Sequence, residues 1–375
     1  MRDRGRIMAS LLFFHRWLAL ITGVVLLAVS VSGALLVFEQ PIGNAGGRLI
    51  TPVGSPLPLD SLAARAIASA GGGAVSIASL GTDAGSPWSF GITRDSTTRT
   101  LLVNPYSGEV LGDVPPPTWL QRSIRNVHLF HTRLLAGNAG SAVVAFVTLA
   151  SLVLVLSGIV LWLRDRRWRI QWSASWKRVA FDLHHALGVV AAVVLLLITG
   201  TGVWMGYPNQ VDALVMRLNR TPPPSGQPEQ PPPDPGARQL GLDTLLETAR
   251  RAVPGAPVLA LRLPSRGPAL VTLRYPEDHT PGGRSRVWID RYRGTLLRVQ
   301  NTRNLEAGSK LLTLQRPLHT GDMFGVAGNA VWLLAALILG SQGVTGALMW
   351  WNGRPARKVV RSETRVTRNP ASVPS

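Results

Sequence analysis

The sequence contains no cysteine among its 375 residues. Disulfide bonds, iron–sulfur clusters and thiolate-ligated haem are therefore excluded. The sequence also lacks a glycine-rich phosphate loop, a dinucleotide fingerprint and an HExxH zinc motif. Asp165 and Asp182 flank one basic loop, but no pair of carboxylates has a spacing suited to acid–base catalysis. The sequence therefore contains no recognisable motif of a nucleotide-dependent or hydrolytic enzyme.

Charge is nearly absent from four long apolar windows. Each window reaches the roughly 20 residues that a helix needs to cross a bilayer. Each must be helical, because lipid offers no partners for backbone hydrogen bonds. A soluble protein with four buried helices is disfavoured by these lengths. We therefore predict a multi-pass membrane protein in contact with the lipid bilayer, with spans at 17–38, 141–163, 186–207 and 326–351.

Arginine and lysine accumulate in the short segments beside these windows. The basic segments are the N-terminus (1–16), the loop 164–185 and the tail 352–375. The excess of positive charge in cytoplasmic loops places all three in the cytoplasm, with both termini inside. The first window could imitate a secretory signal. It is longer than a typical signal core, so we predict a retained span.

The two long connections between spans have the same order of predicted elements. Residues 41–126 contain a predicted helix at 59–70, and residues 238–316, after a proline-rich linker at 222–235, contain one at 242–252. Short strands follow each helix, at 75–80, 88–93, 100–103 and 109–111, and at 258–263, 269–275, 286–289 and 295–299. We predict an α-helical membrane protein with four transmembrane helices in a tandem duplication, and with two small α+β units outside the membrane.

The second outer unit is unusually rich in arginine. One interpretation is a solvated or lipid-headgroup-facing surface, and the other is a field that attracts an anionic ligand. We expect no nucleic-acid partner. The arginines are Arg250, Arg251, Arg262, Arg266, Arg274, Arg284, Arg286, Arg291, Arg293 and Arg298.

Four of the seven histidines recur in register. His131 precedes Gly140 by nine residues and lies upstream of Ser157-Gly158, and His319 precedes Gly328 by nine residues and lies upstream of Thr345-Gly346. The interval from His15 to Ser32-Gly33 equals that from His184 to Thr201-Gly202. One histidine therefore belongs to each predicted span. An interfacial anchor is the ordinary role of a single such histidine, but four in register favour a common chemical role.

Depth sorts these histidines into two pairs. His15 and His184 open spans one and three at the cytoplasmic face, whereas His131 and His319 open spans two and four at the outer face. Neutral imidazole is a good ligand for haem iron, and two imidazoles give a six-coordinate iron suited to electron transfer. We therefore predict two bis-histidine haem sites. His128 and His185 lie beside predicted ligands and could substitute for them, so the choice between His184 and His185 stays open.

Beyond these patterns, the sequence resembles the PepSY-associated transmembrane-helix family, which includes iron-regulated membrane proteins and ferric-siderophore reductases of bacteria. The resemblance covers nearly the whole chain. The residues that carry it are His15-Arg16-Trp17-Leu18, Phe130-His131, Leu134-Leu135-Ala136-Gly137, Asp182-Leu183-His184, Leu187-Gly188, Pro317-Leu318-His319-Thr320-Gly321 and Tyr106-Ser107-Gly108-Glu109-Val110-Leu111. In the second unit, Asp290 to Gly294 keeps only the tyrosine and glycine of the corresponding turn.

The resemblance implies a bacterial inner-membrane protein with four spans and two periplasmic PepSY-like modules. It implies haem b held by the span-opening histidines, and one-electron reduction of a ferric siderophore or other anionic ferric chelate in the periplasm. The cytoplasmic segments are too short for a flavin domain, so an unknown cytoplasmic reductant or the quinone pool must supply the electrons. The alternatives are a non-enzymatic sensor or protease regulator, and a component of an iron or siderophore transporter. The transporter is disfavoured because the spans hold almost no carboxylates.

Overall fold

A computed structural model describes residues 2–44, 47–81, 83–223 and 226–352. These residues form a helical bundle joined to one antiparallel sheet. The predicted basic tail from residue 353 onward lies outside the described residues. The predicted proline-rich linker at 222–235 carries neither helix nor strand in its described part.

Three helical segments of the described chain are long and apolar enough to cross a membrane. They contain helix α1 (Arg2–Leu36), helix α5 (Gly137–Asp165) and helix α11 (Gly325–Asn352). Helices α6 (Trp176–Val190) and α7 (Ala192–Gly206) pass the same test only as a pair, which is bent by 71°. The protein is thus a multi-pass membrane protein with three spans, or four if the bent pair counts as one.

The predicted third span at 186–207 is not a single continuous helix in the structure. The helix begins ten residues earlier, at Trp176, and bends at Ala191. Neither proline nor glycine occupies residues 190–192, so the apolar composition gives no local sign of the bend. Ala191 and Ala192 are buried, which indicates that packing against neighbouring helices fixes the bend.

Short helices connect the spans to the sheet, namely α2 (Glu39–Asn44), α4 (Trp119–Arg133), α8 (Pro208–Leu218) and α10 (Ala307–Thr320). Helix α4 ends where Leu134 adopts a left-handed conformation, and α10 ends at Gly321, with φ of 82°. His131 and His319 therefore lie on α4 and α10, and the prediction that they open the spans is corrected. The predicted limits of the outer units, at 126 and 316, fall inside these two helices.

The sheet has eight strands in the order β4-β3-β2-β1-β5-β6-β7-β8, and all neighbours are antiparallel. Helix α3 (Leu59–Ser69) precedes β1, and helix α9 (Leu242–Ala252) precedes β5. The limits of these two helices and of the eight strands agree with the predicted limits to within about three residues. The strands are β1 (Ala74–Ser79), β2 (Trp88–Arg94), β3 (Thr97–Val103), β4 (Val110–Asp113), β5 (Val258–Arg262), β6 (Ala269–Leu273), β7 (Ser285–Ile289) and β8 (Leu296–Gln300).

Amphipathic patterning explains why α3 and α9 cover the sheet. Each helix has apolar residues at helical positions i, i+3, i+4 and i+7, which share one face. The buried residues are Leu59, Leu62, Ala63 and Ala66 on α3, and Leu242, Leu245, Leu246 and Ala249 on α9. They belong to a single core cluster together with buried residues of both groups of strands.

The two predicted outer units are therefore not separate bodies. Strand β1 pairs with β5, with Ile77 opposite Arg262 and Ser79 opposite Ala260, so one sheet runs through both groups of strands. Hydrophobic periodicity shows which face of a strand is buried. It does not show which edge will meet another strand, so the junction could not be predicted.

A reciprocal pair of carboxylates joins the two sheet-covering helices. The Asp60 carboxylate on α3 accepts hydrogen bonds from the backbone amides of Leu242 (2.6 Å) and Asp243 (3.2 Å). The Asp243 carboxylate on α9 accepts from the amides of Leu59 (2.7 Å) and Asp60 (2.9 Å). Each carboxylate thus caps the other helix, where unpaired amides and the positive end of the helix dipole favour an anion.

The spans of the two halves of the chain interleave. Helix α1 packs along α5 of its own half and along α11 of the other, and α7 packs against α5 and α10. Helix α6 also lies against α11. This arrangement brings the histidine-bearing helices of both halves to the same interfaces.

Candidate histidine site

In the first half of the chain, each register histidine contacts a serine on the neighbouring span. His15 Nδ1 on α1 lies 2.8 Å from Ser157 Oγ on α5. Conversely, His131 Nδ1 on α4 lies 3.2 Å from Ser32 Oγ on α1. The His131 Nδ1 atom also lies 2.9 Å from the Val29 carbonyl oxygen. Both histidines are therefore held through Nδ1.

The second half repeats this arrangement with threonine. His184 Nδ1 on α6 lies 2.9 Å from Thr345 Oγ1 on α11. His319 Nδ1 on α10 lies 3.0 Å from Thr201 Oγ1 on α7, and 3.2 Å from the carbonyl oxygen of Ile198. The serine and threonine residues that recur in the sequence are thus the partners of the recurring histidines.

Glycine follows each of these hydroxyl residues and leaves room for the imidazole. A Cβ atom added at Gly33 would lie only 2.9 Å from His131 Cε1. At Gly158, Gly202 and Gly346 the corresponding distances to the facing histidine Cε1 are 3.5, 3.4 and 3.5 Å. Each ring therefore lies against the glycine beside its hydroxyl partner. We call these four dipeptides the hydroxyl–glycine pairs: Ser32-Gly33, Ser157-Gly158, Thr201-Gly202 and Thr345-Gly346.

The histidines lie at two levels of the bundle. His15 and Ser32 are 17 residues apart on the continuous helix α1. At 1.5 Å per residue, this spacing corresponds to about 25 Å along the helix. Because Ser32 contacts His131, His131 lies near the C-terminal end of α1, about 25 Å along the helix from His15. We call His131 and His319 the sheet-proximal pair, and His15 and His184 the sheet-distal pair.

The sheet-proximal pair brings the two halves of the chain together. The ring centroids of His131 and His319 are 6.4 Å apart, with the ring planes tilted by 50°. Helices α4 and α10, which carry them, end in the same way before the spans begin. The predicted partnership of these two residues therefore corresponds to a short distance between their rings.

The sheet-distal histidines form a looser group. His15 and His184 contact hydroxyls on different spans, Ser157 on α5 and Thr345 on α11. The rings of His184 and His185 are 5.9 Å apart. His185 stacks on Phe181 at 4.1 Å, and its Nδ1 lies 2.9 Å from the Phe181 carbonyl oxygen. The Nδ1 atom of His185 therefore faces a backbone carbonyl oxygen, whereas that of His184 faces a threonine hydroxyl.

The remaining two histidines have other surroundings. His128 Nδ1 lies 2.9 Å from Glu39 Oε1 and so links α4 to α2. His279, to which the sequence analysis gave no role, lines a cavity of about 320 Å³ at the junction of sheet and bundle. No pattern in the sequence indicated this cavity. Its lining includes Gln40, Arg274, Asp278, His279, Asp322 and Asn329.

The histidine geometry can be compared with the needs of a metal. Within the described residues, no three histidine, aspartate or glutamate side chains cluster closely enough to hold a metal ion. Haem iron requires only two axial ligands from the protein. With metal–nitrogen bonds of about 2 Å, two imidazoles on one iron hold their ring centroids about 6 Å apart. The 6.4 Å separation of His131 and His319 fits this requirement.

We call strands β1–β4 and β5–β8, each with its loops, the first and second strand groups. Several arginines of the second strand group have structural partners. Arg291 is buried and donates hydrogen bonds to the carbonyl oxygens of Pro264 and Gly267. Arg293 forms ion pairs with Asp234 (2.5 Å) and Asp290 (3.2 Å). Part of the arginine content therefore stabilises loops. The second strand group as a whole is rich in arginine.

The buried carboxylate of Asp182 also forms an ion pair and a hydrogen bond. It lies 2.9 Å from Arg178 Nε and accepts a hydrogen bond from the Gln171 amide at 3.2 Å. These contacts tie the basic loop to helix α6. Asp182 thus acts as an anchor for the loop that precedes His184.

The fold and these histidines define a multi-pass membrane protein in which the two halves of one chain bring His131 and His319 close together. Residues 12–352 match the family model of the PepSY-associated TM region, so the chain belongs to this family, as the sequence analysis predicted. A comparison with curated proteins finds no significant match.

Proposed function

We propose that this protein is a di-haem b electron-transfer protein of the bacterial inner membrane, which reduces a ferric siderophore or another ferric chelate for iron uptake. In this proposal four spans arise from a tandem duplication, and both termini are cytoplasmic. The sheet, built from two PepSY-like modules, lies in the periplasm. His131 and His319 hold the outer haem, and His15 and His184 hold the inner haem.

The observation that carries this proposal is the repeated environment of the four histidines. Each has Nδ1 engaged by a serine or threonine hydroxyl and has its ring against a glycine. Interfacial anchors need no such repetition. The 6.4 Å separation of His131 and His319 adds a distance suited to two ligands of one iron.

The contributions of the chain follow from this arrangement. A bound haem would supply one-electron redox chemistry. Two histidines would hold each haem, and a haem held in this way is suited to electron transfer. The apolar spans that contact these histidines would limit the access of water to the haems. One electron converts one ferric ion to ferrous iron, which siderophore ligands hold far less tightly, and a cytoplasmic reductant or quinol must supply that electron.

The distribution of charge supports the proposed orientation. Basic residues in the N-terminal part of α1 and between α5 and α6 are typical of cytoplasmic segments. The cavity lined by Arg274 and His279 would then face the periplasm, where a ferric chelate arrives. The second strand group would add a positive field that attracts anionic chelates.

Absorption spectroscopy of the detergent-purified protein tests the proposal. We expect sharp α and β bands after dithionite reduction, and about two haems b per chain by pyridine haemochrome titration. His319→Ala should remove the outer haem, keep the inner one and abolish ferric-chelate reduction, whereas the control His279→Ala should keep both haems. Two haems in His319→Ala would contradict the ligand assignment. Colourless protein made with ample haem would refute the redox function and favour the sensor or regulator.

A further inference from the structure

The hydroxyl groups of the four hydroxyl–glycine pairs donate their protons to backbone carbonyl oxygens of their own helices. Ser157 Oγ donates to the Val153 carbonyl oxygen at 2.7 Å, and Ser32 Oγ donates to that of Ala28 at 2.8 Å. In the second half, Thr345 and Thr201 donate to the carbonyl oxygens of Ser341 (2.7 Å) and Leu197 (2.5 Å). A hydroxyl has one proton and two acceptor sites. Each hydroxyl oxygen can therefore meet its histidine only as an acceptor.

The histidines must consequently be the donors. Imidazole Nδ1 can donate to a hydroxyl oxygen only if it carries the proton, and in a neutral ring this leaves Nε2 with the free lone pair. The sheet-proximal pair supports this independently, because the carbonyl oxygens of Val29 and Ile198 lie 2.9 and 3.2 Å from the two Nδ1 atoms. A carbonyl oxygen is only an acceptor, so the same tautomer follows.

We propose that Ser32, Ser157, Thr201 and Thr345 are positioning residues that fix the four histidines as Nδ1–H tautomers and direct each Nε2 towards haem iron. The inference rests on the proposed function. When a histidine binds a metal through one ring nitrogen, a hydrogen bond donated by its other ring nitrogen orients the ring and raises its basicity as a ligand. A more basic ligand favours ferric over ferrous iron, so these hydroxyls lower the reduction potential of each haem.

The arrangement divides two tasks between the halves of the chain. Each hydroxyl belongs to the same half as the histidine that it orients, such as Ser32 for His131 and Thr201 for His319. The two histidines of the sheet-proximal pair come from different halves. One half thus prepares the tautomer of its ligands, and the assembly of the halves completes each site.

Paired substitutions test this inference on the full-length protein. Thr345→Val keeps the size of the side chain and removes the acceptor, whereas Thr345→Ser keeps the acceptor and removes the methyl group. Ser157→Ala removes the acceptor beside His15, the other proposed ligand of the inner haem, whereas Ser157→Thr keeps a hydroxyl there. The measurements are haem content by pyridine haemochrome, midpoint potentials by redox titration, and electron paramagnetic resonance of the ferric haems.

We expect Thr345→Val and Ser157→Ala to raise the potential of the inner haem, change its ferric resonance and weaken its retention by about 10- to 100-fold. Thr345→Ser and Ser157→Thr should retain the wild-type potential, and the outer haem should be unchanged in all four variants. Wild-type potential and resonance in Thr345→Val or Ser157→Ala with haem bound would overturn the inference and leave the proposed function intact. Equal changes in the hydroxyl-retaining variants would also overturn it, because packing would then explain the effect. Absence of haem from the wild type would instead overturn the proposed function.

Discussion

At the scale of single residues, the histidine site depends on small side chains as much as on the imidazoles. The four glycines of the hydroxyl–glycine pairs face the histidine rings, but they do so at different distances. Gly33 gives its histidine the least space. Glycine in a membrane helix is also common where helices pack closely, so the sequence alone could not separate packing glycines from those beside a ligand.

We predict that Gly33→Ala weakens the outer haem site. The added Cβ would lie 2.9 Å from His131 Cε1, which is closer than carbon atoms normally approach, so the ring must shift. Gly158→Ala is the matched control, because its Cβ would lie 3.5 Å from His15 Cε1, an ordinary contact. Haem content per chain and the redox spectrum of each haem measure the effect. Equal haem retention in the two variants would contradict the prediction.

At the scale of secondary-structure elements, the sheet is joined by contacts that hydropathy patterns do not report. The sequence located both helices and every strand, because alternation and helical periodicity are properties of neighbouring residues. It did not indicate that Asp60 and Asp243 each cap the helix of the other. That contact depends on two segments about 180 residues apart in the chain.

We predict that Asp60→Ala destabilises the sheet by about 1–2 kcal/mol, because the amides of Leu242 and Asp243 lose their acceptor. Hydrogen exchange at the first turn of α9 should accelerate, even though the substitution is on α3. The control is Glu247→Ala on α9, since the pair between Glu247 and Arg251 is exposed and spans 3.8 Å. Faster exchange confined to α3 would contradict the reciprocal cap.

The turn between β7 and β8 should respond to acid. Burial raises the pKa of Asp290, but hydrogen bonds from the Tyr292 amide, the Gln230 side chain and Arg293 more than offset this, so the pKa lies below its usual value. A lowered folded-state pKa stabilises the fold above the unfolded pKa of about 3.9 and loses this contribution as the pH falls through the folded value.

We therefore expect hydrogen exchange at this turn to accelerate below about pH 4. Asp290→Asn should remove the pH dependence and retain the turn. The first strand group provides the precedent, because Asn104 accepts a hydrogen bond from the Tyr106 amide at 2.9 Å in the corresponding turn. Asn104→Asp is the reciprocal variant and should introduce acid sensitivity there. An unchanged pH profile in Asp290→Asn would exclude this carboxylate as the cause.

At the scale of the whole molecule, the two halves are joined twice. Strands β1 and β5 pair in the sheet, and the first span of each half packs against the second span of the other. Exposed apolar residues on the spans, such as Val24 and Val193, face the lipid. Because each proposed haem takes one ligand from each half, haem binding should require both halves and should reinforce their association.

We predict that the chain can be divided in the linker at 222–235 and still assemble. Two separately encoded halves should copurify through a tag on one of them, with about two haems per complex, whereas either half alone should retain none. The control complex carries His184→Ala and His319→Ala in the second half. It should still copurify through the sheet and the bundle, but without haem. Haem bound to a single half would refute the shared sites.

The sequence by itself determined the membrane class, the positions of the strands and of the two helices that cover the sheet, the family and the register of four histidines. These features follow from the composition and order of nearby residues, which hydropathy and local spacing record directly. Tertiary structure decided the bend at Ala191, the joining of the strands into one sheet and the partner of each histidine. These features arise because packing brings together residues such as His15 and Ser157, 142 positions apart. No local pattern specifies which helix face will meet another.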